Sequence, residues 1–279
     1  MSGGRDGAAP AGYDLLVCDL DGTLLGDEMR LDPALAEAFR RAGGRGLAIS
    51  LATGRMPAAA DPYRDELGIT APVIYYNGAV VRGGDGGPDL VSLTLPRGAL
   101  RRAWAVFSQA PVHPVFYRDD RLFCIAHTLA VRRYCEEEGL RVDVVDDAGE
   151  FLALGGFIKS LLIGHPKDLD IVRGELTPIV AEHGRLVRTR GDYLEIIPVG
   201  ASKGAALARL AAHLGVPLDR VVAVGDQEND VEMLREAGLG VAMPHAPELV
   251  RRAADRIAPT APEGGLLRLF RELFPGRFD

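Results

Sequence analysis

Apolar runs alternate with amphipathic segments along the first part of the chain. Runs at 15–18, 46–52 and 72–76 lack polar alternation, which is typical of strands that are buried on both faces. Between the first two runs, Leu35 and Phe39 recur at the spacing of one helix face. The order strand, helix, strand, helix, strand predicts a parallel sheet with right-handed crossover connections.

The pattern changes after the glycine-rich stretch 82–88, which we interpret as a linker. Beyond it, strand-like and helix-like segments follow without regular alternation, which predicts an α+β insert whose antiparallel sheet carries helices on one face. The alternating pattern returns with apolar strands at 220–224 and 238–243. We therefore predict an α/β protein whose parallel-sheet core is interrupted by a second domain. The predicted division is a flexible leader at 1–12, a core formed by 13–82 and 194–279, and an insert at 83–193.

Composition narrows the classes of protein to which the chain can belong. With 47% hydrophobic and 25% charged residues among 279, it has the composition of an ordinary soluble globular protein. The formal net charge of -7 argues against a nucleic-acid-binding surface. No apolar run is long enough to span a bilayer or to form a signal peptide. The three cysteines and six histidines lack metal-ligand spacing, which argues against a zinc site and favours a reduced, cytoplasmic setting.

Two aspartates lie at the end of the first apolar strand. Asp19 follows the strand directly, and Asp21 lies in the turn with Gly22, which allows a tight bend. Carboxylates this close repel each other unless a cation lies between them. Mg²⁺ takes oxygen ligands from one or two carboxylates and keeps water or phosphate in its other positions. The alternative is an ordinary Asp-Gly turn at a strand end.

Further polar residues follow the other predicted core strands. Thr53, Gly54 and Arg55 come after the second strand, and Asp226 comes after the strand at 220–224. Ligands of parallel sheets bind at the carboxyl ends of the strands, so we expect these residues to converge on the first aspartate pair. The alternative for Asp226 and the acidic residues after it is that acids are favoured in the first turn of a helix.

Lys203 lies in the first turn of a predicted helix that is capped by Ser202. The helix dipole disfavours a cation at this position by about 0.3–1 kcal/mol. Either a nearby anion outweighs this cost or the lysine is a flexible surface residue. We expect that it faces an anion.

Four segments together resemble the motifs of the haloacid dehalogenase-like superfamily. They are Asp19-Leu20-Asp21-Gly22-Thr23, Thr53-Gly54-Arg55, Gly200-Ala201-Ser202-Lys203-Gly204 and Gly225-Asp226-Gln227-Glu228-Asn229-Asp230. The segment Asn77-Gly78-Ala79 and the insert after the third strand resemble the Cof-type phosphatases of that superfamily. The resemblance implies a Rossmann-like core with an inserted cap domain. The chain departs from the family pattern at Pro244-His245 and near Thr260-Ala261-Pro262-Glu263.

The resemblance also implies a role for each motif residue. Asp19 would be the nucleophile that forms an aspartyl-phosphate, and Asp21 would be the general acid and base. Arg55 would contact the substrate or, alternatively, serve as a structural ion-pair partner. The implied residues that bind phosphate or substrate are Thr53, Gly54, Arg55, Asn77, Lys203 and Asn229. The implied ligands of Mg²⁺ are Asp19, Asp21 through its backbone carbonyl, and Asp226, with Asp230 in support.

The sequence thus predicts a Mg²⁺-dependent phosphatase that acts on a small phosphorylated metabolite, such as a sugar phosphate. A phosphotransferase of the phosphomutase type would use the same residues. A non-catalytic sensor of phosphorylated ligands would be expected to have lost Asp19 or Asp21. We expect a monomer or homodimer without nucleic-acid or membrane partners. We also expect the insert to be a mobile lid that selects the substrate, although no motif in it identifies that substrate.

Overall fold

The computed structural model describes residues 12–26, 29–84 and 87–279. The predicted leader lies outside these residues except for its last, Gly12, as do Asp85 and Gly86 of the predicted linker. The strands, numbered in chain order, are β1 (Leu15–Cys18), β2 (Ala48–Leu51), β3 (Val73–Tyr75), β4 (Val80–Arg82), β5 (Asp89–Ser92), β6 (Val112–Arg118), β7 (Arg121–Cys124), β8 (Val142–Val144), β9 (Phe157–Gly164), β10 (Gly184–Arg190), β11 (Tyr193–Pro198), β12 (Val221–Gly225), β13 (Leu239–Ala242) and β14 (Arg256–Ile257). The helices are α1 (Pro33–Gly44), α2 (Pro57–Glu66), α3 (Ala99–Phe107), α4 (Leu129–Glu138), α5 (Ala148–Ala153), α6 (Pro166–Val180), α7 (Lys203–Leu214), α8 (Val231–Glu236), α9 (Glu248–Ala253) and α10 (Gly265–Leu273). Among these helices, none has both the length and the apolar character that crossing a bilayer requires.

A parallel sheet with the strand order β14-β13-β12-β1-β2 forms the centre of the core. β1 lies between β12 and β2, and its Leu15 is in register with Val221 on one side and Ala48 on the other. All four side chains of β1 are fully buried, as expected for a uniformly apolar strand that is covered on both faces. The prediction of an α/β fold with a parallel-sheet core is confirmed.

Helices cover both faces of this sheet. On one face, Cys18 packs in the same apolar cluster as Phe39 of α1, and on the other face Val17 packs with Leu207 of α7. Ser202 begins α7 by accepting a hydrogen bond from a backbone N–H of the first turn, as its place before the apolar stripe predicts. The layers hold the carboxyl ends of β1, β2 and β12 at one edge of the sheet.

A three-stranded sheet continues the core beside β2. β3 runs parallel to β2 through a bridge between Ala52 and Ile74. The chain then reverses through a 3-10 turn at Tyr76–Gly78 into the antiparallel strands β4 and β5. The turn thereby places Asn77 at the same edge of the core as the ends of β1 and β2.

The insert forms the cap, a six-stranded sheet with the order β10-β11-β9-β6-β7-β8. Its strands pair antiparallel except for β7 with β8. Phe116 of β6 packs against α3 and α6 on one face, whereas Val115 and Tyr117 pack with α4 on the other. The prediction of helices on one face alone is therefore wrong for α4, because successive residues of β6 are apolar on both faces of the sheet.

Strand pairing places the ends of the cap differently from the predicted bounds 83–193. β5, which follows residue 82, pairs with β4 of the core. β11 extends beyond residue 193 and pairs with β9 and β10 of the cap. The glycine-rich stretch thus connects two strands of the core rather than two domains. We propose that the cap extends from 93 to 198.

Candidate active site

A cavity of about 500 Å³ lies between the core and the cap. Its core wall includes Asp19, Asp21 and Asn229 among the predicted site residues, and its cap wall is formed by α4, β9, β10 and β11. Asn77 and Lys203 border a smaller cavity of about 200 Å³, which shares Asn229 with the larger one. The larger volume is typical of pockets that bind small molecules.

Lys203 lies at the centre of the polar cluster beneath this cavity. It is 1% exposed, so the alternative of a flexible surface lysine is wrong. Its Nζ donates hydrogen bonds to Oδ1 of Asp19 at 2.5 Å and to Oδ1 of Asp230 at 2.6 Å. These two carboxylates are the anions that outweigh the unfavourable position of a cation at a helix start.

Asp230 shapes the loop after β12 as well as pairing with Lys203. Its Oδ2 accepts hydrogen bonds from the backbone N–H groups of Asp226 at 2.9 Å and Gln227 at 3.0 Å. Gly225 permits this close approach, because a Cβ at that position would lie 2.5 Å from the carboxyl carbon of Asp230. The Gly-Asp sequence after the strand therefore has a steric reason, and Asp230 does more than favour a helix start.

Three carboxylates lie close enough together to bind one metal ion. Oxygens of Asp19, Asp226 and Asp230 all lie within 4.8 Å of one another. Carboxylate oxygens suit Mg²⁺, and Lys203 supplies one positive charge against three carboxylates. Gly22 leaves room beside them, since a Cβ there would lie 2.4 Å from Oδ2 of Asp226. The residues present therefore fit a divalent cation.

Burial and charge both act on the ionisation of this cluster. Burial raises the pKa of Asp19 well above its ordinary value, the Lys203 ammonium opposes this, and the neighbouring carboxylates raise the pKa further. Burial lowers the pKa of Lys203, but Asp19 and Asp230 raise it by more, so the amine stays protonated. Burial and Asp230 likewise raise the pKa of Asp226. The raised pKa values of Asp19 and Asp226 reflect in part the repulsion between neighbouring carboxylates, which a bound cation would relieve.

The carboxylate of Asp21 lies outside the group of three carboxylates and is bonded to Arg55. Nε of Arg55 donates to Oδ2 of Asp21 at 2.9 Å, and its Nη2 donates to Oδ1 at 2.6 Å. The same guanidinium reaches Oε2 of Glu138 on α4 of the cap at 3.0 Å. Burial raises the pKa of Glu138, while the adjacent Arg55 lowers it. Arg55 therefore forms the structural ion pairs that were one of its two predicted roles. Because the side chain of Asp21 is bonded to Arg55, any contribution of Asp21 to metal binding would come from its backbone carbonyl.

Thr53 and Gly54 form the turn between β2 and α2. The buried Oγ1 of Thr53 accepts a hydrogen bond from the backbone N–H of Arg55 at 3.1 Å, which leaves its hydroxyl hydrogen free to donate. A Cβ on Gly54 would lie 3.1 Å from the amide of Asn77. The glycine therefore allows two strand ends to approach closely, and phosphate contact by this turn remains a prediction.

Asn77 has both ends of its side-chain amide bonded. Its Nδ2 donates to Oε2 of Glu195 at 2.9 Å, and its Oδ1 accepts from Nδ2 of Asn229 at 2.8 Å. The residue has a φ of 55°, a left-handed conformation that asparagine adopts more readily than most residues. The structure thus joins the two predicted amides to each other, and their contact with phosphate stays a prediction.

The sequence reasoning missed the polar residues of the cap wall. Lys159 and Glu195 are buried ion-pair partners at 2.7 Å, and Glu138, Thr189 and Arg190 line the same cavity. A signal for the first two existed, because each is a lone charge inside an otherwise apolar strand. Such a charge is costly unless it is paired or functional.

His245 stands at one of the positions where the chain departs from the family pattern. Its Nε2 lies 3.5 Å from Oδ2 of Asp226, and its side chain is 56% exposed. The imidazole therefore lies at the edge of the carboxylate cluster, on the solvent side.

The chain is similar to known hydrolases over nearly its whole length. The sequence profile of haloacid dehalogenase-like hydrolases matches residues 16–270. A 5-amino-6-(5-phospho-D-ribitylamino)uracil phosphatase of Bacillus subtilis is 30% identical over 93% of this chain and 97% of its own length. A chloroplastic endoribonuclease of Arabidopsis thaliana is 26% identical over 91% of this chain, but the chain spans only 45% of that protein's length.

The fold is likewise similar to solved structures. The crystal structure of a haloacid dehalogenase-like hydrolase from Bacteroides thetaiotaomicron superposes with a TM-score of 0.85 at 26% identity. The superposition covers 94% of this chain and 100% of the other. Core and cap therefore both have counterparts in that structure.

Proposed function

Because this chain belongs to the haloacid dehalogenase-like hydrolase family and is a phosphatase of that family, we propose that it hydrolyses a small phosphorylated metabolite through an aspartyl-phosphate on Asp19. The observation that carries the proposal is the position of Asp19. Its carboxylate borders the cavity, is fixed by Lys203, and lies beside two further carboxylates that fit Mg²⁺. A carboxylate held in this way is a suitable nucleophile for phosphorus.

In the first step, an oxygen of Asp19 attacks phosphorus and the ester P–O bond breaks. Asp21 gives a proton to the leaving oxygen. Lys203 bonds only Oδ1 of Asp19, so the other oxygen is free to form the new bond, and the ammonium offsets the charge that gathers there. Mg²⁺, when bound, would supply positive charge that stabilises the transferring phosphoryl group.

In the second step, Asp21 takes a proton from water, and the water oxygen attacks the phosphorus of the aspartyl-phosphate. The bond between phosphorus and Asp19 breaks, inorganic phosphate leaves, and the free carboxylate is restored. Arg55 holds Asp21 at the cavity wall through hydrogen bonds to both of its oxygens. To reach first the leaving oxygen and then the water, one oxygen of Asp21 must leave Arg55 and turn towards the substrate, carrying the proton that it gives in the first step.

The size of the substrate follows from the cavity. A volume of about 500 Å³ would hold a small metabolite together with its phosphate. The Bacillus subtilis relative is named for a phosphatase activity on a phosphorylated molecule of this kind. We therefore place the substrate of this chain among small phosphomonoesters.

Release of phosphate from a panel of metabolite phosphates tests the proposal. We expect turnover with Mg²⁺, its loss after EDTA treatment and desalting, and its return when Mg²⁺ is added. Full turnover after removal of the metal would contradict the role of Mg²⁺. An isomeric phosphate ester formed without free phosphate would instead identify a phosphomutase.

Two variants test the roles of the aspartates. Asp19→Asn should lower turnover by at least about a hundredfold, because an amide is not a competent nucleophile. Asp21→Asn should still release one equivalent of p-nitrophenol from p-nitrophenyl phosphate, since this leaving group needs no proton. Steady hydrolysis in that variant should fall by about 10²–10⁴-fold. Near-native turnover in Asp19→Asn would exclude an aspartyl-phosphate on that residue.

A further inference from the structure

A line of hydrogen bonds connects the cap sheet to the loop after β12. Lys159 of β9 donates to Oε1 of Glu195 at 2.7 Å, and Oε2 of Glu195 accepts from Nδ2 of Asn77 at 2.9 Å. Oδ1 of Asn77 in turn accepts from Nδ2 of Asn229 at 2.8 Å. Two cap residues are thus linked, through one core residue, to the loop that also carries Asp230.

The chemistry of the groups fixes the direction of every bond in this line. An ammonium can only donate, and an ionised carboxylate can only accept. Asn77 must therefore turn its NH₂ group towards Glu195 and its oxygen towards Asn229, which must donate in return. The second N–H of the Asn229 amide takes no part in this line of hydrogen bonds. The Oδ1 atom of Asn229 is buried and has no hydrogen-bond partner among the described residues.

Burial keeps water from the bonds among Lys159, Glu195 and Asn77, whereas Asn229 at the end of the line is partly exposed. Lys159 is 2% exposed, Glu195 is 4% exposed, and Asn77 is as deeply buried as the lysine. Lys159 also donates to the backbone oxygen of Gly54 at 2.9 Å, which fixes the ammonium against the core. In such surroundings an amide that points the wrong way leaves donors facing donors, which is costly.

We propose that Glu195 is a positioning residue of the cap, which acts through Asn77 to set the orientation of the Asn229 amide at the phosphoryl site. With Glu195 ionised and held by Lys159, the remaining N–H of Asn229 is presented to a phosphate oxygen. The inference rests on the proposed function and on the contact between Asn229 and the phosphoryl group that the family resemblance implies. Because Lys159 and Glu195 belong to the cap, the phosphate site is complete only while the cap is in place.

Glu195→Gln tests the proposal because it should reverse the direction of the hydrogen bonds from residue 195 to Asn229. The glutamine must keep its oxygen on Lys159, so its NH₂ group faces Asn77 and makes that amide turn over. Asn229 then turns over as well and accepts a hydrogen bond instead of donating one. We expect the affinity for inorganic phosphate in the presence of Mg²⁺, measured by isothermal titration calorimetry, to fall about tenfold.

The double variant Asn77→Asp with Glu195→Gln should restore the original direction. The glutamine donates to the new aspartate, whose second oxygen accepts from Asn229, and the total charge of the line is unchanged. We expect phosphate affinity to recover most of the loss that Glu195→Gln alone causes. Asn77→Asp alone places two carboxylates against each other and should lose at least about tenfold. Glu182→Gln, which changes an exposed carboxyl of the cap, is the matched control and should bind phosphate as wild type does.

Asn229→Ala supplies a measurement that a purely structural role of Glu195 would not affect. In that background, Glu195→Gln should cost nothing further, because its effect passes through Asn229. An equal loss of phosphate affinity from Glu195→Gln in the wild-type and Asn229→Ala backgrounds would overturn the proposal. So would a double variant Asn77→Asp with Glu195→Gln that binds phosphate as weakly as Glu195→Gln alone. If Glu195→Gln does not fold, Asn77→Gly breaks the line without touching the ion pair and should show the same tenfold loss.

Phosphate binding also separates this inference from the proposed hydrolysis. If the wild type binds phosphate with this dependence on Glu195 but releases none from any ester, the proposed function is wrong and the positioning role stands. If the wild type hydrolyses esters while the variants bind phosphate equally well, the positioning role is wrong. A wild type that binds no phosphate at all would also overturn it.

Discussion

A buried lysine at a helix start destabilises the fold unless anions surround it, and Lys203 has two. Its ammonium lies 2.5 Å from Asp19 and 2.6 Å from Asp230. Removing one partner of a buried charge cluster leaves the others uncompensated, and this costs more than the loss of an exposed ion pair. The residue therefore contributes to stability as well as to the proposed chemistry, and the two contributions can be measured separately.

Lys203→Met should lower the free energy of unfolding by about 3–5 kcal/mol in the presence of EDTA. Mg²⁺ should stabilise this variant more than the wild type, because a metal bound among three carboxylates no longer faces a competing ammonium. Urea denaturation with EDTA and with Mg²⁺ measures both effects. Lys167→Met, an exposed position on α6, is the control and should change stability by no more than about 0.5 kcal/mol. A loss in Lys203→Met as small as in this control would contradict the account of the cluster.

Single residues also show where sequence reasoning stops. Lys203 could be predicted, because its position on the helix and its motif both point to an anion. Lys159 and Glu195 could not be paired from sequence, because they lie on different strands and meet only through the register of the cap sheet. The ion pair between Arg55 and Glu138 was hidden for the same reason, since it joins the core to the cap.

At the scale of elements, the turn after β3 packs closely against the start of α7, and this contact fixes the relative positions of two site residues. Gly78 has a φ of 90°, and a Cβ there would lie 2.1 Å from the backbone oxygen of Ser202. The next residue along that helix is Lys203. Any shift of this turn would therefore move both Asn77 and Lys203 at once.

Gly78→Ala should lower the free energy of unfolding by at least about 2 kcal/mol, because it combines an unfavourable φ with a backbone clash. Gly174→Ala is the matched control, since Gly174 lies inside α6 with open space around it. This control should gain about 0.5–1 kcal/mol from better helix propensity. Thermal or urea unfolding of both variants measures these changes. An unchanged free energy of unfolding in Gly78→Ala would show that the turn can move away from α7 at little cost.

Apolar strands of the core were predictable, the three-residue β3 among them, whereas several other short elements were not. β1 and β12 are fully apolar, and both were expected as buried strands. β4 and β8 have three residues each, and α5 has six, which is too little for a periodic pattern to emerge. β4 also bears on the linker predicted at 82–88, because a glycine-rich stretch resembles a domain boundary, whereas the strands that flank this one pair with each other.

In the whole molecule, core and cap meet through buried polar groups as well as apolar ones. Lys159 bonds Gly54, Glu195 bonds Asn77, and Glu138 pairs with the guanidinium of the Thr53-Gly54-Arg55 turn. We propose that these contacts belong to a closed state and that they part when substrate enters and phosphate leaves. Groups that can be solvated separately suit such opening better than a purely apolar interface does.

The division of labour between the two domains leads to a prediction about selectivity. Asn229 belongs to the core and is proposed to contact the phosphoryl group, which every substrate shares. Arg190 belongs to the cap, lines the cavity, and lies 4.3 Å from the ring centre of Tyr193. It is therefore placed to contact the part of the substrate that differs from one metabolite to another.

Arg190→Met should change the ranking of metabolite phosphates by kcat/KM and leave p-nitrophenyl phosphate within about twofold, because an activated ester depends little on leaving-group contacts. Asn229→Ala should instead lower kcat/KM for every substrate by a similar factor, about tenfold for the loss of one hydrogen bond to a charged group. Arg141→Met, an exposed arginine of the cap outside the cavity wall, is the control for removing a cap charge and should leave the ranking unchanged. Steady-state kinetics of the three variants on one panel makes the comparison. A uniform loss in Arg190→Met would mean that the cap supports catalysis without selecting the substrate, and the basis of selectivity would then have to be sought among the core residues of the cavity wall.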